Sequence, residues 1–131
     1  MASITRNIRV GASPTDAWDA LRDFGAVHER VAAGFVVDAS VDGPDRVVTF
    51  AGGAQARERL VTLDDECRRL VYTVVDSPLG ATHHQASVEV RDAPAGCTIV
   101  WTTDLLPDVL APVVDGLMEQ GAAAIARTLS P

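Results

Sequence analysis

The longest regular pattern of hydrophobic and polar positions lies at the end of the chain, over residues 108–129. Apolar and small residues recur there at helical spacing. They are Leu110, Val113, Val114, Leu117, Met118, Gly121, Ala124, Ile125, Thr128 and Leu129. This spacing predicts an amphipathic helix with one wide apolar face and with Asp115, Glu119 and Arg127 on the opposite side. A helix of about 21 residues spans ~30 Å, so it needs an equally long apolar surface as its partner.

The first part of the chain predicts one strand followed by two short helices. Residues 3–10 alternate between polar and apolar side chains, as a half-buried strand does. Ser13, followed by Pro14 and then Asp16, is typical of a helix start with Ser13 as the N-cap. This helix ends before Gly25, and a second helical piece is expected over residues 26–32.

From residue 34 onward the hydrophobic period changes to two, which predicts strands. Six segments are separated by turns rich in Gly, Pro and Asp: residues 35–41, 46–51, 55–63, 69–76, 82–91 and 98–105. Strands joined by such short turns must be antiparallel. The sequence therefore predicts an α+β fold, a seven-stranded curved antiparallel sheet wrapped around the long C-terminal helix, because no other element is long enough to cover one face of the sheet.

Several stretches of sequence carry a family resemblance that covers nearly the whole chain: residues 12–24 (ASPTDAWDALRDF), 57–60 (RERL) with 63–65 (LDD), 69–79 (RLVYTVVDSPL) and 98–101 (TIVW). They resemble the START-like helix-grip proteins, in particular the polyketide cyclase/dehydrase-like branch of the SRPBCC superfamily. The resemblance implies a single START-like ligand-binding domain over residues 1–131. It also implies a pocket between sheet and helix, with its mouth near the turns at 52–53 and 77–81 and the start of the long helix.

The alternation along each strand predicts which side chains face such a pocket, because every second residue of a strand lies on the same face. Leu117 and Met118 would be contributed by the long helix. The full set of predicted ligand-contacting residues is Glu58, Tyr72, Val74, Asp76, His84, Trp101, Thr103, Leu117 and Met118.

Glu58 falls among apolar neighbours on its strand, and a buried carboxylate must be paired or protonated. It is a candidate polar anchor or catalytic acid/base in the pocket. Two other interpretations stay open: an ion pair with Arg46 or Arg57, or an outward side chain on a slipped register. The turn at residues 52–53 permits either register, and a slip of one residue turns every side chain to the other face.

His84 is the second catalytic candidate. Together with Tyr72 and Asp76 it could orient a polar ligand group or relay protons near neutral pH. A histidine bonded to a backbone carbonyl at a strand end is the alternative. No metal site is predicted, because His83 points to the opposite face and no Cys or carboxylate lies beside the pair at ligand spacing.

The sequence does not decide whether the space between the sheet and the helix is a pocket or a filled core. Trp101 and the small residues at 121–124 are compatible with both. Trp101 fits both the core under the helix and the wall of a pocket. The Gly-Ala-Ala-Ala run either leaves room beneath the helix or lets the helix settle closely onto the sheet. The first outcome gives a pocket, and the second a filled core.

The amino-acid composition limits the classes of partner that the protein could bind. The net charge is −7 and lysine is absent, which argues against nucleic acid and anionic membranes. Aromatic residues make up only 5%, and no apolar run predicts a membrane span. Without an apolar signal core at the start, a cytoplasmic protein with free thiols at Cys67 and Cys97 is expected. A homodimer is left open.

Two function classes follow, with a ligand-free regulatory module as a third. The first is binding of a small hydrophobic molecule: lipid-like, aromatic or polyketide. The second is a polyketide aromatase/cyclase- or dehydratase-like enzyme in which Glu58, His84, Tyr72 or Asp76 moves protons or orients the substrate. No cofactor is expected, because the sequence has no phosphate loop and no dinucleotide fingerprint. It also has no nucleophile elbow.

Overall fold

The computed structural model describes residues 1–130. Its elements in chain order are β1 (Ala2–Val10), α1 (Pro14–Arg22), α2 (Val27–Arg30), β2 (Val36–Asp42), β3 (Asp45–Phe50), β4 (Gln55–Asp64), β5 (Arg69–Asp76), β6 (His83–Ala93), β7 (Gly96–Leu106) and α3 (Ala111–Thr128). Short 3₁₀ turns precede α2 and α3. The predicted order of elements and the predicted fold class are confirmed.

All seven strands form one antiparallel sheet in the order β1-β7-β6-β5-β4-β3-β2. The first strand pairs with the last one, from Ala2 opposite Leu105 to Val10 opposite Cys97. The chain must therefore cross from one edge of the sheet to the other between β1 and β2, and α1 and α2 make that crossing. The curved sheet wraps around α3, which packs against β1.

Helix α1 is anchored at both of its ends. The Ser13 hydroxyl accepts a 3.1 Å hydrogen bond from the backbone N–H of Asp16, as expected for an N-cap. Farther along, the Trp18 indole N–H and the Arg22 Nε both donate to the Asp65 carboxylate, at 2.9 and 2.8 Å. Because Asp65 lies in the turn between β4 and β5, these bonds tie α1 to one end of the sheet.

Helix α3 buries a narrower stripe than its sequence predicts. The buried positions are Val114, Met118, Gly121, Ala124 and Ile125. Val113 and Leu117 were predicted on the same face but are 52% and 39% exposed. Each lies about 100° around the helix from a buried neighbour, so the sheet contacts only the central seam.

The same helix, taken with the 3₁₀ turn before it, is long and apolar enough to cross a membrane by length and composition alone. The core helix of a soluble protein meets that criterion as well. In this structure the segment serves as the helix that the sheet grips, and the fold is typical of soluble domains.

A β-bulge between β4 and β5 corrects the predicted facing of Asp76. Glu58 lies opposite Val74, whereas the adjacent Arg57 lies opposite Asp76, so Val75 is an extra residue on β5. Residues directly opposite one another share a face of the sheet. Asp76 therefore shares the outer face with Arg57, and the prediction that it faces inward with Val74 is wrong.

Candidate functional site

A pocket of about 450 Å³ lies between the concave face of the sheet and α3. Its wall is mostly apolar. The β3–β4 loop and the β5–β6 loop border it at one end, beside the first turns of α3, through Ala51, Gly52, Ala54, Ser77, Pro78 and Leu79. A volume of this size falls within the range of ~300–1,000 Å³ that is typical of small-molecule sites.

Eight of the nine predicted residues line this pocket. They are Glu58, Tyr72, Val74, His84, Trp101, Thr103, Leu117 and Met118. Asp76 is the exception, because the bulge turns it outward. It is exposed and borders a separate depression of about 90 Å³, which His84 also lines.

Glu58 is buried in the pocket wall, and its carboxylate accepts a 2.8 Å hydrogen bond from Nε of Arg46. The two side chains are 10% and 8% exposed. Arg46 also donates through Nη1 to the carbonyl of Phe24 at 3.0 Å, and its guanidinium carbon lies 3.8 Å from the centre of the Phe24 ring. Of the alternatives for Glu58, the structure shows an inward side chain paired with Arg46. Arg57 instead turns outward to Asp45.

The sequence analysis named Arg46 as a possible ion-pair partner of Glu58, but it did not predict that Arg46 lines the pocket. It lies directly opposite Glu58 in the β3–β4 register. Alternation along β3 was the available signal, since Arg46, Val48 and Phe50 all line the pocket. Because arginine is mostly found at protein surfaces, this alternation alone is weak evidence for an arginine in the pocket wall.

Tyr72 is buried beside this ion pair. Burial is the main cause that raises the pKa of its hydroxyl far above the usual range, and the negative charge of Glu58 adds to the rise. The hydroxyl is therefore protonated at neutral pH. The Trp101 indole lies close enough to oppose the rise in pKa, but its Nε1 forms no well-aligned hydrogen bond with any residue from 1 to 130.

His84 is half-buried on β6, and its Nδ1 has no hydrogen-bond partner among residues 1–130. Its backbone carbonyl accepts a bond from the Thr73 hydroxyl at 3.1 Å. Burial lowers the pKa of the imidazole, with Glu58 acting in the opposite direction, so the ring is neutral near pH 7. Within the same residues, no group of three or more His, Cys, Asp or Glu side chains is arranged to hold a metal ion.

Trp101 and Gly121 mark the point where α3 rests on the sheet. A Cβ placed on Gly121 would lie 3.0 Å from Cη2 of Trp101 and 3.2 Å from the Phe35 ring. One turn earlier, Met118 and Leu117 line the pocket. The helix therefore contacts the sheet at Gly121 and still leaves a pocket beside its first turns.

A curved antiparallel sheet gripping a long C-terminal helix over an apolar pocket defines the helix-grip class of proteins. The chain belongs to the family described as polyketide cyclase / dehydrase and lipid transport, whose model matches residues 1–130. This match confirms the family resemblance seen in the sequence. The family and fold are those of proteins suited to hydrophobic ligands.

Solved structures agree with this assignment. XoxI from Bacillus cereus is similar with a TM-score of 0.86 and 18% identity, over 98% of this chain and 96% of that one. A protein from Thermobifida fusca is 30% identical with a TM-score of 0.75, over 99% and 97% of the chains. Norcoclaurine synthase from Thalictrum flavum, in complex with dopamine and hydroxybenzaldehyde, has a TM-score of 0.70 and 19% identity over 96% and 84%. At such identities, XoxI and norcoclaurine synthase show the shared fold alone. No protein of curated function matches the chain.

Proposed function

We propose that the chain, acting as one domain over residues 1–131, binds a small hydrophobic molecule in the pocket between the sheet and α3. The observation that carries the proposal is the apolar pocket of about 450 Å³ that remains beside a helix otherwise packed onto the sheet. Side chains that line a void lack dispersion partners on one side. A ligand that fills this void supplies those partners, and binding also removes its own apolar surface from water.

The pocket wall favours an aromatic or short lipid-like ligand. Phe35 and Phe50 both line it, and they pack edge to face with ring centres 5.3 Å apart. Aromatic side chains in this arrangement offer ring edges and faces to a planar ligand. A lipid with two long acyl chains is considerably larger than the pocket, so a single-chain or ring-containing molecule fits this volume better.

The direct test is to purify the protein under native conditions and to identify small molecules released by denaturation, using mass spectrometry. The expected result is one hydrophobic molecule in a near-stoichiometric amount. A protein that releases nothing is then titrated with N-phenyl-1-naphthylamine, an uncharged fluorescent hydrophobic probe. A protein that neither releases a molecule nor takes up the probe contradicts the proposal.

A second candidate function is a polyketide aromatase/cyclase- or dehydratase-like enzyme. The observation that favours it is that Glu58, Tyr72 and His84 line the same pocket. Cyclisation with loss of water needs a base that takes a proton from carbon and an acid that returns one to the departing oxygen. A neutral His84 and a protonated Tyr72 are suited to these two roles.

The enzyme hypothesis is tested by Tyr72→Phe and His84→Ala, with His83→Ala as the control on the opposite face of β6. For any polyketide-like substrate that the protein turns over, the first two variants should lower kcat by at least ~100-fold, and the control should not. Unchanged turnover in Tyr72→Phe and His84→Ala contradicts this mechanism. Binding without turnover supports the first candidate.

A reducing, cytoplasmic location is part of the proposal. Cys67 is exposed and Cys97 is buried, and both are free thiols, as proteins in reducing compartments carry them. The net charge of −7 supports a partner other than nucleic acid or an anionic membrane.

A further inference from the structure

We infer that the pocket selects an uncharged ligand with one hydroxyl group, phenolic, enolic or alcoholic, held between Glu58 and His84 and against Tyr72. This inference rests on the proposed binding function and adds the chemistry of the ligand's polar end. It follows from three features of the pocket: the placement of its polar groups, their charges and their unused hydrogen-bonding capacity.

The sheet register places these polar groups at one corner of the pocket. Glu58 lies opposite Val74 on β5, and Thr73 lies opposite Gln85 on β6, so the same register places Val74 next to His84. With strands about 4.8 Å apart, the backbones of Glu58 and His84 are separated by ~10 Å across the concave face. Val74 lies between these two residues, so a ligand group that rests on Val74 is within reach of both longer side chains. Tyr72 shares their face of the sheet, because it lies two residues from Val74.

The charges in this corner cancel. The Arg46 guanidinium is already bonded to Glu58 and to the Phe24 carbonyl, and it lies over the Phe24 ring. His84 is neutral because burial lowers its pKa, and Tyr72 is protonated because burial raises its pKa. No unpaired charge is left to offset a carboxylate, a phosphate or an ammonium group. Burying an uncompensated ion is costly, so a charged ligand is disfavoured.

The unused hydrogen-bonding groups match a hydroxyl. The Glu58 carboxylate only accepts, and the Trp101 indole N–H only donates. Both Trp101 Nε1 and His84 Nδ1 are buried without partners among residues 1–130. A hydroxyl donates one hydrogen bond and accepts others, so it can serve both kinds of group, with Tyr72 as an adaptable third partner. A hydrocarbon leaves the indole N–H and the imidazole nitrogen unpaired, and a ketone offers no donor to Glu58 or to an accepting imidazole nitrogen.

The test compares four ligands that share one ring system, each displacing N-phenyl-1-naphthylamine from the intact protein at pH 7. They are naphthalene, 2-naphthol, 2-naphthoate and 2-naphthylmethylammonium. We expect 2-naphthol to bind about tenfold tighter than naphthalene, and both charged compounds to bind more weakly than naphthalene. Tyr72→Phe and His84→Ala should lower the ratio of naphthol to naphthalene affinity towards one. His83→Ala, on the outer face, should leave the ratio unchanged.

Tight binding of naphthoate or of the ammonium compound would overturn the inference, and so would an unchanged naphthol preference in both Tyr72→Phe and His84→Ala. The measured quantity is the ratio of naphthol to naphthalene affinity. A variant that changes the pocket volume alters the affinity of both ligands, so this effect cancels in the ratio. Binding of naphthalene without any preference for naphthol refutes the hydroxyl inference and leaves the binding function standing. Failure of all four compounds and of the probe refutes both.

Discussion

Glu58 and Arg46 form an ion pair inside the pocket wall, with the carboxylate 2.8 Å from Nε of the guanidinium. The two residues lie directly opposite one another on β4 and β3. The pair is polar yet carries no net charge, and it stands in an otherwise apolar wall. The register of β3 and β4 therefore places a polar group without net charge in the wall of the pocket.

Removing one partner of this pair should destabilise the protein strongly, because the other charge is left buried and unpaired. We expect Arg46→Met to lower the free energy of unfolding by about 3–5 kcal/mol, whereas the double variant Arg46→Met/Glu58→Leu should recover most of that loss. Urea unfolding followed by circular dichroism measures both. Arg91→Met is the control, because the Arg91–Glu89 pair lies on the surface and should change stability by less than ~1 kcal/mol. An Arg46→Met variant as stable as the control would contradict this account.

Much of the fold follows from the sequence for identifiable physical reasons. The alternation of polar and apolar residues predicts the strands, and the turn residues between them predict where the strands end. The start of α1 at Ser13-Pro14 is likewise predicted from local sequence alone. Antiparallel pairing follows from the short turns. The same alternation placed Tyr72, His84 and Trp101 on the inner face correctly, since β6 pairs with both β5 and β7 without register shifts.

The errors arise where tertiary structure overrides the local pattern. The bulge at Val75 arises from the pairing of β4 with β5. The alternation of residues along β5 does not predict it. The bulge turns Asp76 outward. Leu117 is exposed because a curved sheet touches only a narrow seam of α3, which depends on the curvature and not on the helix sequence. Arg46 was expected only as a possible partner of Glu58, because its burial in the pocket wall depends on Glu58 and Phe24, and neither is adjacent in sequence.

Two glycines of α3 provide a matched test of helix–sheet contact. A Cβ at Gly116 meets nothing within 4 Å, whereas one at Gly121 would press on Trp101 and Phe35. Gly116→Ala should raise the free energy of unfolding by ~0.5–1 kcal/mol through helix propensity. Gly121→Ala should give a smaller gain than Gly116→Ala or a net loss, because the added methyl must displace Trp101 and Phe35, and overpacking of about 1–3 kcal/mol offsets the same propensity gain. Equal stabilisation by both substitutions in urea unfolding would show that α3 does not rest on Trp101.

Asp45 should dominate the acid end of the stability profile of this region. Its hydrogen bonds from Arg59 and then Arg57 lower its pKa from 3.8 to about 2. A depressed folded-state pKa gives stability that is present above the unfolded pKa and is lost as the pH falls towards 2. The difference in unfolding free energy between wild type and Asp45→Asn should thus be constant above about pH 5 and shrink between about pH 4 and 2.

The check on Asp45 is urea unfolding of both proteins at a series of pH values. If the difference in unfolding free energy between wild type and Asp45→Asn is as large at pH 2.5 as at pH 7, the ionised carboxylate of Asp45 is not the cause of that difference.

The central claim, that the space between the sheet and α3 is a ligand-binding site, is tested most directly by filling it. Val74 lines the pocket, whereas its neighbour Val75 is displaced by the bulge and is 42% exposed. In fluorescence titrations with N-phenyl-1-naphthylamine, wild type and Val75→Phe should show one saturable site of similar affinity. Val74→Phe, folded by circular dichroism, should bind at least tenfold more weakly. Equal affinity of Val74→Phe and wild type would contradict the account.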